Sequence, residues 1–189
     1  MKSATNVSRV VERKSFKDFI VAMNYHVDVK EWSEVGGVYE ISRRILKHFD
    51  PELIMDVGCG KRPTLATLMA LNYKCDVVAV DPQLDDQYSS KINRLVKVRT
   101  TLLEYAKSVL VKRRLLLLAN HSHAPKYEIM LMLSKSPSWV YVTVPCCVDN
   151  KLSNEISIHF KDIHMHSDKN EVFVFSNNQK ILSKTLLNE

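Results

Sequence analysis

Three short stretches of the chain concentrate the residues able to do chemistry. Asp56-Val57-Gly58-Cys59-Gly60 places an acid and two of the four glycines within five positions. Glycine is needed where a backbone turns tightly or where a ligand lies against the main chain. A second acid, Asp81, stands 25 positions after Asp56, at the end of another apolar run, where a carboxylate can accept both hydroxyls of a ribose. Asn120-His121-Ser122-His123 and Pro145-Cys146-Cys147 supply further polar and nucleophilic groups. His121 or His123 can take a proton from a hydroxyl or ring nitrogen, and Asn120 can fix an acceptor's polar edge. A cysteine nucleophile at Cys146 or Cys147 needs a neighbouring cation, which His121 can supply; packing or contact with the substrate is the plainer role for these thiols. The same histidines and cysteines are candidate zinc ligands, but adjacent cysteines lack the spacing of such sites, so no metal is expected.

These groups need elements to hold them. Leu53–Val57 reads as a buried strand ahead of the glycine turn, Thr64–Leu71 as the helix after it, and Asp76–Asp81 as a second strand. Leu95–Val98, Leu115–Ala119 and Trp139–Val144 read as three more strands. Helices are expected over about Leu102–Arg113 and Tyr127–Leu133. Continuous apolar strands alternating with helices predict a parallel sheet covered on both faces. Glu155–His166 and Glu171–Ser176 alternate instead, with the turn-rich Ser167-Asp168-Lys169-Asn170 between them, and predict a hairpin. The expected fold is therefore α/β, a doubly wound, mostly parallel sheet closing on an antiparallel C-terminal hairpin. Upstream, Phe16, Phe19, Ile20 and Met23 lie at helical spacing, and a further helix is expected over about Val38–His48, ended by Asp50-Pro51. The spacing divides the chain into an N-terminal helical extension, 1–34, and a main domain, 35–189. Trp32 and Trp139 are expected in the core, Cys59 and Cys75 as small packing residues, and His164 and His166 at the surface.

Composition bounds the rest. The chain has 189 residues, 46% hydrophobic and 25% charged, which suits one globular domain. No apolar run approaches the ~18 residues of a membrane span, and the first residues lack a signal-peptide core. Four cysteines without framework spacing point to reduced thiols, so a cytoplasmic or nuclear setting is expected. Nothing in the sequence speaks to oligomeric state. Net charge is +6, and Lys91–Arg114 holds eight basic residues against Glu104 alone. Such a patch fits a phosphate backbone or a solvated helix face equally well. Topology sorts the cations: Lys61, Arg62, Arg99 and Lys126 follow strand ends and should line the ligand face. Lys112, Arg113 and Arg114 should sit at the opposite end of the sheet.

The Asp56–Gly60 segment resembles the first motif of class I S-adenosylmethionine-dependent methyltransferases, acid-x-Gly-x-Gly-x-Gly, and Val80-Asp81-Pro82 resembles their second. The third glycine is replaced by Arg62, since Lys61-Arg62-Pro63 follows, and the nicotinamide fingerprint fits less well. By this resemblance the cofactor is S-adenosylmethionine. Gly58 and Gly60 lie under its methionine portion, Asp56 orients the turn and the amino group, Asp81 holds the ribose, and Gln83 reaches the adenine edge. The acid that the family often carries after its third strand is missing from Val98-Arg99-Thr100-Thr101-Leu102. A His-containing loop followed later by Cys-Cys is also similar to a divergent branch that includes a tRNA 2′-O-methyltransferase family. There the loop is His-Cys-Gly, here His121-Ser122-His123. The resemblance implies a methyltransferase, with RNA as the expected acceptor through the basic loops and Asn120, His121, His123 and Cys146 as catalytic candidates. The alternative is a catalytically inactive methyltransferase-like fold serving as a binding or interaction module. A third reading, a small-molecule methyltransferase, predicts an enclosed apolar acceptor pocket.

Overall fold

A computed structural model describes residues 29–85, 92–146, 152, 157–161, 165 and 170–186. Among these residues seven strands form one sheet: β1 (Leu53–Val57), β2 (Asp76–Val80), β3 (Leu95–Val98), β4 (Leu115–Asn120), β5 (Trp139–Val144), β6 (Ser157–Lys161) and β7 (Glu171–Ser176). Their order is β3-β2-β1-β4-β5-β7-β6. The first five are parallel, while β7 runs antiparallel between β5 and β6. The expected hairpin is thus present, with its second strand, not its first, against the parallel sheet. The order reverses direction between β1 and β4, and the crevice beyond their carboxyl ends is where such sheets bind ligands.

Among the described residues, five helices cover the sheet: α1 (Val29–Ile45), α2 (Thr64–Asn72), α3 (Leu102–Ser108), α4 (Lys126–Leu133) and α5 (Gln179–Leu186). Alternate residues of each buried strand serve the two faces. Ile54, Val77, Leu116, Leu118, Val140 and Val142 pack beneath α1, α2 and α5. Met55, Val57, Val78, Leu115, Leu117 and Tyr141 pack beneath α3 and α4. Strands buried on both sides explain why they read as unbroken apolar runs.

Several boundaries differ from expectation. The helix expected from Val38 begins at Val29, because the apolar stripe Val35, Val38, Ile41, Ile45 continues backward onto core that the sheet provides. It runs through the expected boundary between residues 34 and 35. The helix expected to reach Arg113 stops at Ser108, with Val109 already extended as C-cap. Two β-branched valines, 109 and 111, at that point favour the extended chain. The structure also contains α5, absent from the sequence reading, whose Ile181 and Leu182 join the core. The helix expected around Phe16–Met23 lies outside the described residues, as do Cys147, His164, His166 and much of the hairpin span. Trp139 is buried and Trp32 packs against the core as expected, while Cys59 and Cys75 are half-buried. Among the described residues, no helix is long and apolar enough to cross a membrane.

Lys112, Arg113 and Arg114 lie at the amino ends of the strands, in the connection into β4 and not in a helix. Arg113 pairs with Asp76 at 2.7 Å, and Arg114 with Asp50 at 3.4 Å. Replacing the fully buried Leu117 by Ala should lower stability by about 2–5 kcal/mol through the cavity it leaves. Leu110→Ala, at a site 83% exposed, should stay within about 0.5 kcal/mol of wild type. Urea unfolding midpoints of the two variants check both.

Candidate active site

The glycine turn is built by an acid beneath it and a serine above it. Asp56, 2% exposed at the end of β1, accepts the Ala66 amide of α2 at 3.0 Å. That amide is one of the first-turn donors a helix cannot satisfy internally. Pro63 offers no side-chain cap of its own, so Asp56 supplies one. Gly58 and Gly60 have φ of 66° and 71°, a region costly for residues with a Cβ. A Cβ on Gly58 would meet Ser122 Oγ at 2.2 Å, whereas one on Gly60 would meet nothing within 4 Å. The space above Gly60 is therefore open, and that above Gly58 is filled by Ser122.

Asp81 closes the other side. Its two carboxylate oxygens accept the amides of Gly60 at 2.9 Å and Gln83 at 2.7 Å. Each oxygen keeps a second lone pair for a ligand. A cavity of about 400 Å³ opens above these groups, lined by Gly58, Gly60, Asp81 and Gln83 on one side and His121 and His123 on the other. Its far end is formed by Thr101, Leu102 and Glu128. There Thr101 and Glu104 cap α3 reciprocally, and Glu128 accepts the Leu103 amide at 3.2 Å. A second cavity of about 170 Å³ lies between α1 and the glycine turn. It is lined by Glu31, Glu34, Asp56, Arg62, Asn120 and His121, among others. Its wall mixes these charged and polar groups with the apolar Val35, Cys59 and Leu65. Oδ1 of Asn120 is buried and has no hydrogen-bond partner among the described residues.

His121 borders both cavities. Its φ is 52°, so an imidazole is held on a left-handed backbone that non-glycine residues seldom adopt. Nε2 lies 3.1 Å from Glu34 Oε1. The approach is close but misaligned for a good hydrogen bond, so the contact is chiefly ionic and strongest when the ring is protonated. This pairing pushes the His121 pKa up, against burial, and the neighbouring Cys146 raises it further. Burial pushes Asp56 up to about 7, with Asp81 adding to the rise and the Ala66 amide opposing it.

The structure thus brings Asp56, Gly58, Gly60, Asp81, Gln83, Asn120, His121 and His123 around two adjoining cavities. Cys146, half-buried just past β5, lies near enough to His121 to help raise its pKa. Glu31, Glu34, Ser122 and Glu128 were not among the sequence candidates. Glu31 and Glu34 share one helical face, a signal hidden by starting that helix at Val38. Glu128, an acid in a first turn after Pro125, fits the ordinary helix-start pattern, which carries no ligand information. Among the described residues, no three His, Cys, Asp or Glu side chains converge to hold a metal ion.

No family model matches the sequence, and no curated protein matches it. Solved structures do. The spermidine synthase of Thermotoga maritima matches with a TM-score of 0.59 at 9% identity, covering 82% of this chain and 63% of that one. A mutant of MtNAS in complex with S-adenosylmethionine matches at 0.53 and 11%, covering 92% and 71%. The N-methyltransferase NodS of Bradyrhizobium japonicum WM9, in complex with S-adenosyl-L-homocysteine, matches at 0.51 and 9%, covering 87% and 97%. The fold is the Rossmann-like fold of class I S-adenosylmethionine-dependent methyltransferases. At such identities the likeness is one of fold, and the site must speak for the chemistry.

The raised values of Asp56 and His121 have one sign. Each binds its proton more tightly folded than unfolded, so the stability they contribute is present in acid and lost as pH climbs through the folded values. The urea midpoint should therefore fall as pH rises from about 4 through about 7 and on through the raised His121 value. Asp56→Asn, which keeps an oxygen for the Ala66 amide, should remove the part of that fall lying between about pH 4 and about 7 and leave the His121 part, which begins near its ordinary value of 6.5.

Proposed function

We propose that the larger cavity binds S-adenosylmethionine and that the protein transfers a methyl group from it to RNA. One observation carries this reading. A cavity of about 400 Å³ at the reversal of strand order is floored by the open backbone of Gly60, flanked by Asp81, and faced by the His121–His123 loop. That volume falls in the range of small-ligand clefts. The remaining lone pairs of Asp81 are placed to accept ribose hydroxyls, and Gln83 beside it can meet a base edge. Asp56 and Asn120, reached through the smaller cavity, offer acceptors to an amino group. The bound cofactor would supply an activated methyl group, for which the protein's part is mainly to hold an acceptor in line. NodS and MtNAS, whose folds the chain shares, were solved with S-adenosyl-L-homocysteine and S-adenosylmethionine respectively.

Support for RNA rests on where the cations lie. Lys61 and Arg99 are exposed beside the cleft, with Arg99 donating to the Pro82 carbonyl at 3.4 Å. Arg62 lines the smaller cavity, and Lys126 opens α4. These basic groups flank the cleft, while Arg113 and Arg114 are engaged with acids at the opposite end. A second reading, an inactive fold used as an interaction module, is favoured by the Ser122 side chain that fills the space over Gly58.

Isothermal titration with S-adenosylmethionine separates the two. Saturable binding is expected, weakened by roughly 1–3 kcal/mol in Asp81→Ala, which removes an acceptor facing the ligand. No heat from demonstrably folded protein would reject the enzyme reading. For RNA, the affinity for a single strand should fall with salt at a log–log slope of about −0.7 per phosphate contact. Reversing the charge of Lys61 and Arg62 together should weaken binding and flatten that slope. Arg113→Ala with Arg114→Ala should change neither, and an unchanged Lys61/Arg62 variant would remove RNA as the acceptor.

A further inference from the structure

An acid at the far end of the larger cavity has no part in the methyl-transfer reading. Glu128 stands in the first turn of α4 and is only 8% exposed. It lines the cavity together with Leu102, Ala124 and Pro125. Its two carboxylate oxygens are held by donors from different elements. Oε2 accepts the Leu103 amide of α3 at 3.2 Å, and Oε1 accepts the Tyr127 hydroxyl at 3.0 Å. The Glu128 amide in turn donates to the Pro125 carbonyl at 3.0 Å. Backbone and carboxylate are both anchored, so the direction of this side chain does not wait for a ligand.

A carboxylate offers about four lone-pair sites, and the two bonds named leave acceptor capacity over. Burying such a group is costly unless its acceptors find donors. A carboxylate that only accepts has no proton to give, so the ligand group it meets must be a hydrogen donor. The neighbouring wall is apolar, because Leu102, Ala124 and Pro125 flank the acid. A flat ring with an amino group at its edge suits both surfaces, its faces against the apolar side chains and its N–H toward the acid. Asp81 borders the same cavity with acceptors for a ribose. A ribose and an amino-bearing ring in one cavity make an aminopurine nucleoside, and the base of the proposed cofactor is a 6-aminopurine.

We propose that Glu128 is the specificity-determining residue of the larger cavity: it accepts a hydrogen bond from the exocyclic amino group of the base and thereby rejects the 6-oxo purine of the same shape. The inference rests on the reading of this cavity as the cofactor site and names what selects its base. Gln83 cannot make that choice, since its amide both donates and accepts and can serve either edge. Against Glu128, a 6-oxo base sets a carbonyl oxygen facing a carboxylate with no proton between them. A site built to receive an N–H discriminates strongly against an analogue that lacks it, because its polar group is left unpaired.

The experiment is isothermal titration of the full-length chain with S-adenosylhomocysteine, S-inosylhomocysteine, adenosine and inosine. Wild type should bind S-adenosylhomocysteine about tenfold or more tighter than S-inosylhomocysteine, as expected for a hydrogen bond to a charged group. Glu128→Gln keeps an oxygen for the Leu103 amide and can turn a donor toward a carbonyl. It should weaken S-adenosylhomocysteine about tenfold and leave S-inosylhomocysteine at least as tight, so that the preference collapses. Asp81→Ala, acting at the ribose, should weaken both and keep the preference. A merely structural Glu128 would weaken both ligands by the same factor in Glu128→Gln. That result, or equal affinity of wild type for the amino and oxo forms, overturns the assignment of Glu128 and leaves the cofactor reading standing. Adenosine preferred over inosine, with no binding of S-adenosylhomocysteine, leaves Glu128 standing and overturns the cofactor reading. Folded protein that binds none of the four overturns both.

Discussion

Gly58 and Ser122 touch at a distance that no Cβ would survive. An added methyl at Gly58 would lie 2.2 Å from the serine oxygen and 3.0 Å from its Cα. Because β1 and β4 are neighbours in the sheet, the turns that leave them must share the space above their carboxyl ends. Glycine on one side and a small, fully buried serine on the other make that possible. With Ser122 locked there, the residue before it has little freedom, and His121 takes its left-handed backbone. The imidazole is thereby turned toward α1 and the two cavities. One close contact between turns thus fixes both the floor of the cleft and the direction of its most reactive ring.

The charges are arranged in two layers. Close to the sheet, Asp56 and Asp81 spend part of their acceptor capacity on backbone amides of Ala66, Gly60 and Gln83. That is why a turn with little regular structure stays ordered: its donors are satisfied by carboxylates instead of water. Further out, Glu31 binds the Thr64 hydroxyl at 2.7 Å and Glu34 approaches His121, so α1 is fastened over the cleft by acids. Lys61 and Arg99 are exposed further out, while Arg62 lines the smaller cavity. An acidic interior with a basic rim favours a ligand that is electropositive where it is buried and anionic where it extends into solvent.

Much of this was legible in the sequence because it depends on local rules. Four apolar runs became β1, β2, β4 and β5, since burial on both faces leaves no alternation to misread, while the partly exposed edge strand β3 was read from its shorter run Leu95–Val98. Gly58, Gly60 and Asp81 stood out because a strand, a tight turn and a helix follow one another within twenty-odd residues. What escaped depends on distance in the chain. Glu34 acquires a role only by meeting His121, and Ser122 only by meeting Gly58; no spacing encodes either contact. The cap supplied by Asp56 to α2 lay in plain sight as an acid before a glycine turn. Its energetic consequence, a buried carboxyl with a raised pKa, needs the packed helix above it. The short α5 shows the opposite limit: Ile181 and Leu182 are too few to signal a helix until the core offers them a place.

The same sheet serves proteins described as a spermidine synthase and an N-methyltransferase, so the cleft by itself does not select a reaction. Selection falls to the groups that enter from outside the strand-to-helix framework. In this chain they come from the helix before the first strand and from the ends of β4 and β5. Glu34, His121 and Cys146 belong to those three places, and packing above the sheet sets how Glu34 and His121 are presented. The left-handed φ at His121 is the clearest sign, because such a conformation persists only where surrounding structure over-determines it. That over-determination comes from Ser122 packed on Gly58 and from Glu34 of α1 beside the ring, so the contacts that shape the cleft also set the direction of its imidazole.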